Sequence, residues 1–260
     1  MLRFANPSSD ISGFTRIYQA LFEELQANQP FSLDDMSSAL VRRRLVTSSG
    51  YAGDEALRRS TRVDRSLDPI YNQSKMYSEL FRLLGWIHPT PQSQLSFELT
   101  WLGAHIANAG HYAKSLVREC VLGIAFPNSV VATKGNYRLR PFALILRTLD
   151  ALGGMLCRDE MIVGPLSLED DTDSAAVQIM FESIRALRCR NAKKLDDAVS
   201  TTAEQSNVQI NTLGNYTRFP LAVLEWSGWS EKISDKRFYG KSILFHKITD
   251  AGLKLSLIHI

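Results

Sequence analysis

Between positions 72 and 84 the apolar residues Met76, Leu80, Leu83 and Leu84 recur at the spacing of one helix face. Gly85 follows where helices commonly end on glycine. Trp86 and Ile87 then open a strand, residues 89–94 turn, and Leu95, Phe97 and Leu99 alternate as a half-buried return strand. Thr100 is placed to cap a short closing helix. The pattern therefore predicts a helix, a hairpin and a second helix in succession.

The same scheme returns further along. Asn72, Lys75, Leu80, Phe81 and Gly85-Trp86 match Asn215, Arg218, Val223, Leu224 and Gly228-Trp229 in register. Thr100-x-x-Gly103 likewise matches Thr249-x-x-Gly252, with a longer connection in the second copy. That connection, 230–241, is rich in Lys, Arg and Gly and reads as a hairpin tip. Helical patterns at 13–25, 33–45 and 54–63 precede the first copy; those at 141–152, 158–163, 175–187 and 192–205 precede the second. Pro141 opens its helix, Gly153-Gly154 closes it, and the acidic run 169–173 reads as a solvated linker feeding a helix. A helix followed by a two-stranded wing is how a winged helix-turn-helix ends. The expected fold is mainly α with small β-hairpins, in two winged helix-turn-helix subdomains at 1–112 and 136–255, joined by a connector at 113–135.

Composition narrows the function classes. A chain of 260 residues can bury one large or two small cores, and 45% hydrophobic with 22% charged residues is ordinary for a soluble globular protein. The longest apolar run, 142–146, falls far short of the ~20 residues of a membrane span, and no signal peptide is evident, so a cytoplasmic protein is expected. Cys120, Cys157 and Cys189 are too widely separated for a zinc site, and their odd number argues against a disulfide framework. The net charge of +3 says little until its distribution is considered. Arg42, Arg43 and Arg44 form a run, and Arg58, Arg62 and Arg65 would share one helix face. Asp54, Glu55 and Asp64 dilute that face, which a solvated helix accounts for equally well.

The residues best suited to contact duplex DNA open each repeated helix: Asn72, Gln73 and Lys75 in the first copy, Asn215, Tyr216 and Arg218 in the second. Asn and Gln can pair bidentately with adenine, and Arg or Lys with guanine, each worth ~1–3 kcal/mol of discrimination. Asn72 and Asn215 fit equally as helix N-caps. In the second wing Lys232, Lys236, Arg237 and Lys241 suit phosphate contact, with solvated loop lysines as the alternative; the first wing has no Lys or Arg between Ile87 and Thr100. No catalytic constellation is evident. His88, His105, His111, His246 and His259 lack metal-ligand spacing, and the acidic run lacks the order of a calcium loop. No phosphate-cradling glycine motif occurs, nor an acid followed by Glu-x-Lys on an apolar strand.

The segment from Asn136 through Arg140-Pro141-Phe142 and Gly153-Gly154 to Asp159-Glu160 is similar to a segment of the AlwI-like type IIS restriction endonucleases and the related nicking enzymes. There an Asn-x-x-x-Arg-Pro-like entry leads into an apolar helix, a Gly-Gly turn and a short acidic helix. With a wing unit on each side, the resemblance spans most of 65–255. It implies the sequence-recognition region of such an enzyme: a monomer that binds specific duplex DNA and needs no cofactor itself. The family's Mg2+-dependent PD-(D/E)xK nuclease domain would lie C-terminal to it and is absent from this chain. The ending Leu255-Ser-Leu-Ile-His-Ile260 resembles adapter read-through, so a truncated frame is expected, with 256–260 a non-native tail. Rival readings are a winged-helix transcriptional regulator, a replication-type DNA-binding protein, and a protein–protein adaptor.

Overall fold

A computed structural model describes residues 1–5, 10–48, 50–60, 68–129 and 135–258. Among these, one compact unit runs from Ala5 to Val121, and the other combines Met1–Phe4, Leu122–Asn128 and the chain from 135 onward.

The N-terminal unit begins with α1 (Ile11–Leu25), started by the Asp10 carboxylate accepting from the Ser12 amide. β1 (Phe31–Ser32) runs straight into α2 (Leu33–Arg42), where Ser32 and Asp35 form a reciprocal capping box. A small hairpin, β2 (Thr47–Ser48) and β3 (Tyr51–Ala52), precedes α3 (Asp54–Arg59) and α4 (Pro69–Leu83). The hairpin β4 (Ile87–Thr90) and β5 (Ser93–Leu99) follows, then α5 (Trp101–Asn108) and α6 (Ala113–Leu122). β1 joins the hairpin to give an antiparallel sheet ordered β1-β5-β4, with Phe31 opposite Phe97. The core centres on Trp86, whose ring lies 4.9 Å from Tyr18 and 5.4 Å from Phe81.

The C-terminal unit repeats this order. α7 (Pro141–Ala151) leads into β6 (Met155–Cys157) and then α8 (Arg158–Val163), opened by a Cys157/Glu160 capping box. α9 (Ser174–Arg188), α10 (Ala192–Gln205) and α11 (Ile210–Tyr216) intervene before α12 (Arg218–Trp226). The hairpin β7 (Ser230–Asp235) and β8 (Ile243–Ile248) and the closing α13 (Asp250–Ile258) complete it, with sheet order β6-β8-β7. α13 packs on α7 as α5 packs on α1. The first residues of the chain belong here: the Leu2 amide donates to Leu166 at 2.7 Å, and the Phe4 ring lies 5.7 Å from Phe142 and 5.6 Å from Phe219.

The repeated motif has a common geometry. Gly85 and Gly228 both adopt φ +74°, letting the Trp86 amide donate back to Phe81 and the Trp229 amide to Leu224. The Thr100 hydroxyl donates to the Gly85 carbonyl at 2.7 Å, and Thr249 does the same to Gly228 at 2.7 Å. The next helix then runs so close to each tryptophan carbonyl that a Cβ on Gly103 or Gly252 would collide with it. Thr-x-x-Gly is thus a clamp between hairpin and closing helix.

Several boundaries differ from the sequence expectation. Asp68 caps α4, so Asn72 falls inside the helix rather than at its cap. The first hairpin turns tightly at Pro91-Gln92, because Pro89 stays in the strand opposite Phe97. α3 stops at Arg59, where Ser60 becomes extended; the rest of the helix expected over 54–63 lies outside the described residues. The second repeated helix is two helices meeting at Thr217, whose hydroxyl donates to Gly214 at 2.8 Å. The acidic run is braced rather than free: the Glu169 backbone carbonyl accepts from the Arg138 amide and the Asp171 carboxylate from the Arg140 amide, each at 2.8 Å, and Asp173 caps α9. Among the described residues no helix is long and apolar enough to cross a membrane.

Candidate nucleic-acid interface

A cleft of about 480 Å³ opens on the C-terminal unit between the first turn of α8, α10, α11 and the start of α12. Arg158, Asp159, Asn211, Asn215, Thr217 and Arg218 supply its polar lining, and Ile162, Val199, Ile210 and Leu221 its apolar part. Each polar group is placed by a local rule. Arg158 is the first residue of α8, immediately after the Cys157 cap, and leans on Asp159 at 2.9 Å. Asn211 and Asn215 stand one turn apart on α11, both exposed. Arg218 is the exposed first residue of α12. Gly214 leaves room beside the Arg158 guanidinium, 3.9 Å from where a Cβ would sit. The cleft thus holds two carboxamides, the cation Arg218, and Arg158 already paired with Asp159; the guanidiniums and amides can donate to phosphate oxygens or pair with base edges.

Beside α12, the β7 cation Lys232 is paired with Glu225 at 2.8 Å. Glu225 also faces His246 Nε2 at 3.6 Å, and His246 Nδ1 lies 3.3 Å from the Ser230 hydroxyl. Burial holds the His246 pKa below its ordinary value; Glu225 opposes this and Lys232 adds to it. At the hairpin tip Lys236 is exposed, and Lys241 is loosely paired with Asp196 at 3.8 Å. Arg237 donates to Asp235 at 2.8 Å and to the Met155 sulfur at 3.0 Å.

Tyr239, in the middle of the tip at φ +62°, turns inward and donates to Glu160 Oε1 at 2.7 Å. Glu160 is fully buried and also accepts from Arg188 Nε at 2.7 Å, Arg188 Nη2 at 2.8 Å and the Cys157 amide at 3.0 Å. Arg188 further donates to the Leu152 and Met155 carbonyls. Burial and the adjacent Glu160 charge push the Tyr239 hydroxyl well above its usual pKa, so it stays a donor.

The structure thus brings Asn215 and Arg218 together in the cleft and puts Lys232, Lys236, Arg237 and Lys241 on the neighbouring hairpin. Tyr216 instead packs partly buried against Ile162, Val199, Ala203 and Leu213. In the N-terminal unit Lys75 is exposed on α4, and Asn72 is half-buried in its first turn. The Gln73 amide donates to the Thr47 carbonyl at 2.8 Å, tying α4 to β2. Arg58 is exposed and paired with Glu55, which also holds Arg59 at 2.7 Å; Arg42 and Arg43 share Glu24 at 2.8 and 3.1 Å. These guanidiniums hold Glu24 and Glu55 below the usual carboxylate pKa. Arg62 and Arg65 lie outside the described residues. Sequence reasoning missed Arg158, Asn211 and the Glu160–Arg188–Tyr239 network. Cys157-x-x-Glu160, which echoes Ser32-x-x-Asp35, was the available signal.

Among the described residues no three His, Cys, Asp or Glu side chains come together to hold a metal ion.

No protein-family model matches the chain, and no curated protein matches it. The chain is similar to a solved structure of restriction endonuclease FokI, with a TM-score of 0.46 and 12% identity, over 98% of this chain and 47% of that one. It is also similar to restriction endonuclease FokI bound to DNA, with a TM-score of 0.45 and 14% identity, over 99% of this chain and 48% of that one. The chain spans about half the length of each.

Proposed function

We propose that this chain binds duplex DNA and reads its sequence through two winged-helix units, as the recognition part of a type IIS restriction endonuclease. The observation that carries the reading is the cleft lined together by Arg158, Arg218, Asn211 and Asn215. Support for the winged-helix description comes from what both units share: an opening helix, a short strand that pairs beside the later hairpin, and a helix, hairpin and closing helix at the end. Support for the restriction-enzyme assignment comes from the AlwI-like segment at 136–160. Hydrolysis belongs to a separate metal-dependent domain, and recognition to the two units of this chain.

On this reading α12 lies against the major groove. Arg218 presents two parallel N–H groups to a guanine edge or a phosphate, Asn215 pairs with adenine, and Arg158, its charge already offset by Asp159, adds only its remaining N–H groups. Lys236 and Lys241 on the hairpin tip meet flanking phosphates. The N-terminal unit contributes less, through Lys75 with Arg62 and Arg65, because Arg42, Arg43, Arg58 and Arg59 are neutralised by their own glutamates. Its Gln73 would reach a base only by leaving Thr47.

Selection from random-sequence duplexes at several salt concentrations tests this. One short non-palindromic site should be enriched, with log affinity falling by about 0.9 per contacted phosphate for each tenfold rise in salt. Arg218→Ala should cost about 1–3 kcal/mol and relax one base position, whereas Lys236→Ala should weaken all sequences alike. A palindromic site would point to a dimeric regulator, and no enrichment at any salt would sink the proposal.

A further inference from the structure

We infer that the buried Glu160–Arg188–Tyr239 network is a positioning device that holds the basic hairpin tip 236–241 in one shape for contact with a polyanionic backbone. The inference rests on the DNA-binding reading above. A surface tip carrying two lysines and an arginine would ordinarily sample many conformations, and ordering it on contact would weaken binding. Here the tip is fastened at its centre. The Tyr239 hydroxyl is held by Glu160 at 2.7 Å, and its carbonyl accepts from the Ala192 amide at 3.1 Å. The neighbouring Phe238 ring lies under the Arg188 guanidinium at 4.6 Å. Tyr239 adopts a left-handed backbone that a tyrosine takes only under such constraint.

The duplicated architecture supplies an internal comparison. In the N-terminal unit the matching capping carboxylate, Asp35, is exposed and closes only its own Ser32 box, and the matching hairpin has a two-residue turn without a cation. In the C-terminal unit the capping carboxylate is buried and recruits Arg188 from α9 and Tyr239 from the tip. The unit with the basic tip has the elaborated carboxylate. A buried ion pair is a poor source of stability but an effective way of fixing one arrangement, which fits a positioning role.

The test uses the full chain and a labelled duplex carrying the selected site. Tyr239→Phe removes only the hydroxyl; Phe238→Leu loosens the same tip without touching Glu160, should the first variant fail to fold. Both should accelerate amide exchange across 236–242 and weaken duplex binding about 3- to 10-fold, the scale of ordering one side chain on binding, mainly through faster dissociation. The loss should vanish in a Lys236→Ala/Lys241→Ala background, where a merely structural defect would persist. Wild-type binding with faster tip exchange but unchanged variant affinity, or an equal loss in the double-lysine background, overturns the positioning role alone. Failure of the wild-type chain to bind any duplex overturns the DNA reading and the positioning role with it.

Discussion

Gly103 and Gly252 are set by contact, not by backbone dihedrals. A methyl group on Gly103 would meet the Trp86 carbonyl and the Tyr18 hydroxyl, and one on Gly252 the Trp229 carbonyl. Gly103→Ala should therefore destabilise the protein by about 1–3 kcal/mol, read from the denaturant midpoint. Gly214→Ala should do the reverse, gaining about 0.5–1 kcal/mol, because that helical position has space for a Cβ. His246 carries the clearest pH dependence. Its folded pKa lies below the ordinary 6.5, so the unfolded chain takes up the proton first. Stability should be unaffected by this group above that value and should fall as pH drops from 6.5 toward the depressed folded pKa. His246→Gln should flatten that part of a melting-temperature profile; an unchanged slope would remove His246 as its source.

At the scale of elements, the helix–hairpin–helix repeat was legible because its punctuation is chemical: Gly-Trp ends one helix and Thr-x-x-Gly starts the next. β1 and β6 were not legible, because strands of two or three residues exist only through partners far along the chain, Phe97 and Phe245. Helix starts were misplaced where a nearer cap outcompeted the chosen one. Asp68, followed by Pro69, wins over Asn72, and Asp68→Ala should cost about 1 kcal/mol in unfolding experiments while Asn72→Ala costs less. The candidate site was half legible. Asn215 and Arg218 were visible as polar residues at the edge of an amphipathic stripe. Arg158 and Asn211 join them only through the packing of α8 against α11, which no local pattern encodes. Gln73 shows the opposite case, a suitable donor engaged by a neighbouring strand.

At the scale of the whole molecule, the chain's first four residues complete the C-terminal unit rather than the unit they precede. Phe4 is almost fully buried beside Phe142 and Phe219. Phe4→Ala should cost the C-terminal unit about 3–5 kcal/mol, seen as faster amide exchange in α7 and α12, while α1 and α4 keep their protection. A uniform rise in exchange across both units would contradict that assignment. The arrangement also sets a schedule for a chain made from one end. Leu2 and Phe4 leave the ribosome well before their partners Leu166 and Phe219, by about 10–40 s at ordinary translation speed. Through that interval two apolar side chains stay without their native cover on the nascent chain, so a segment made early waits on one made late before it is seated.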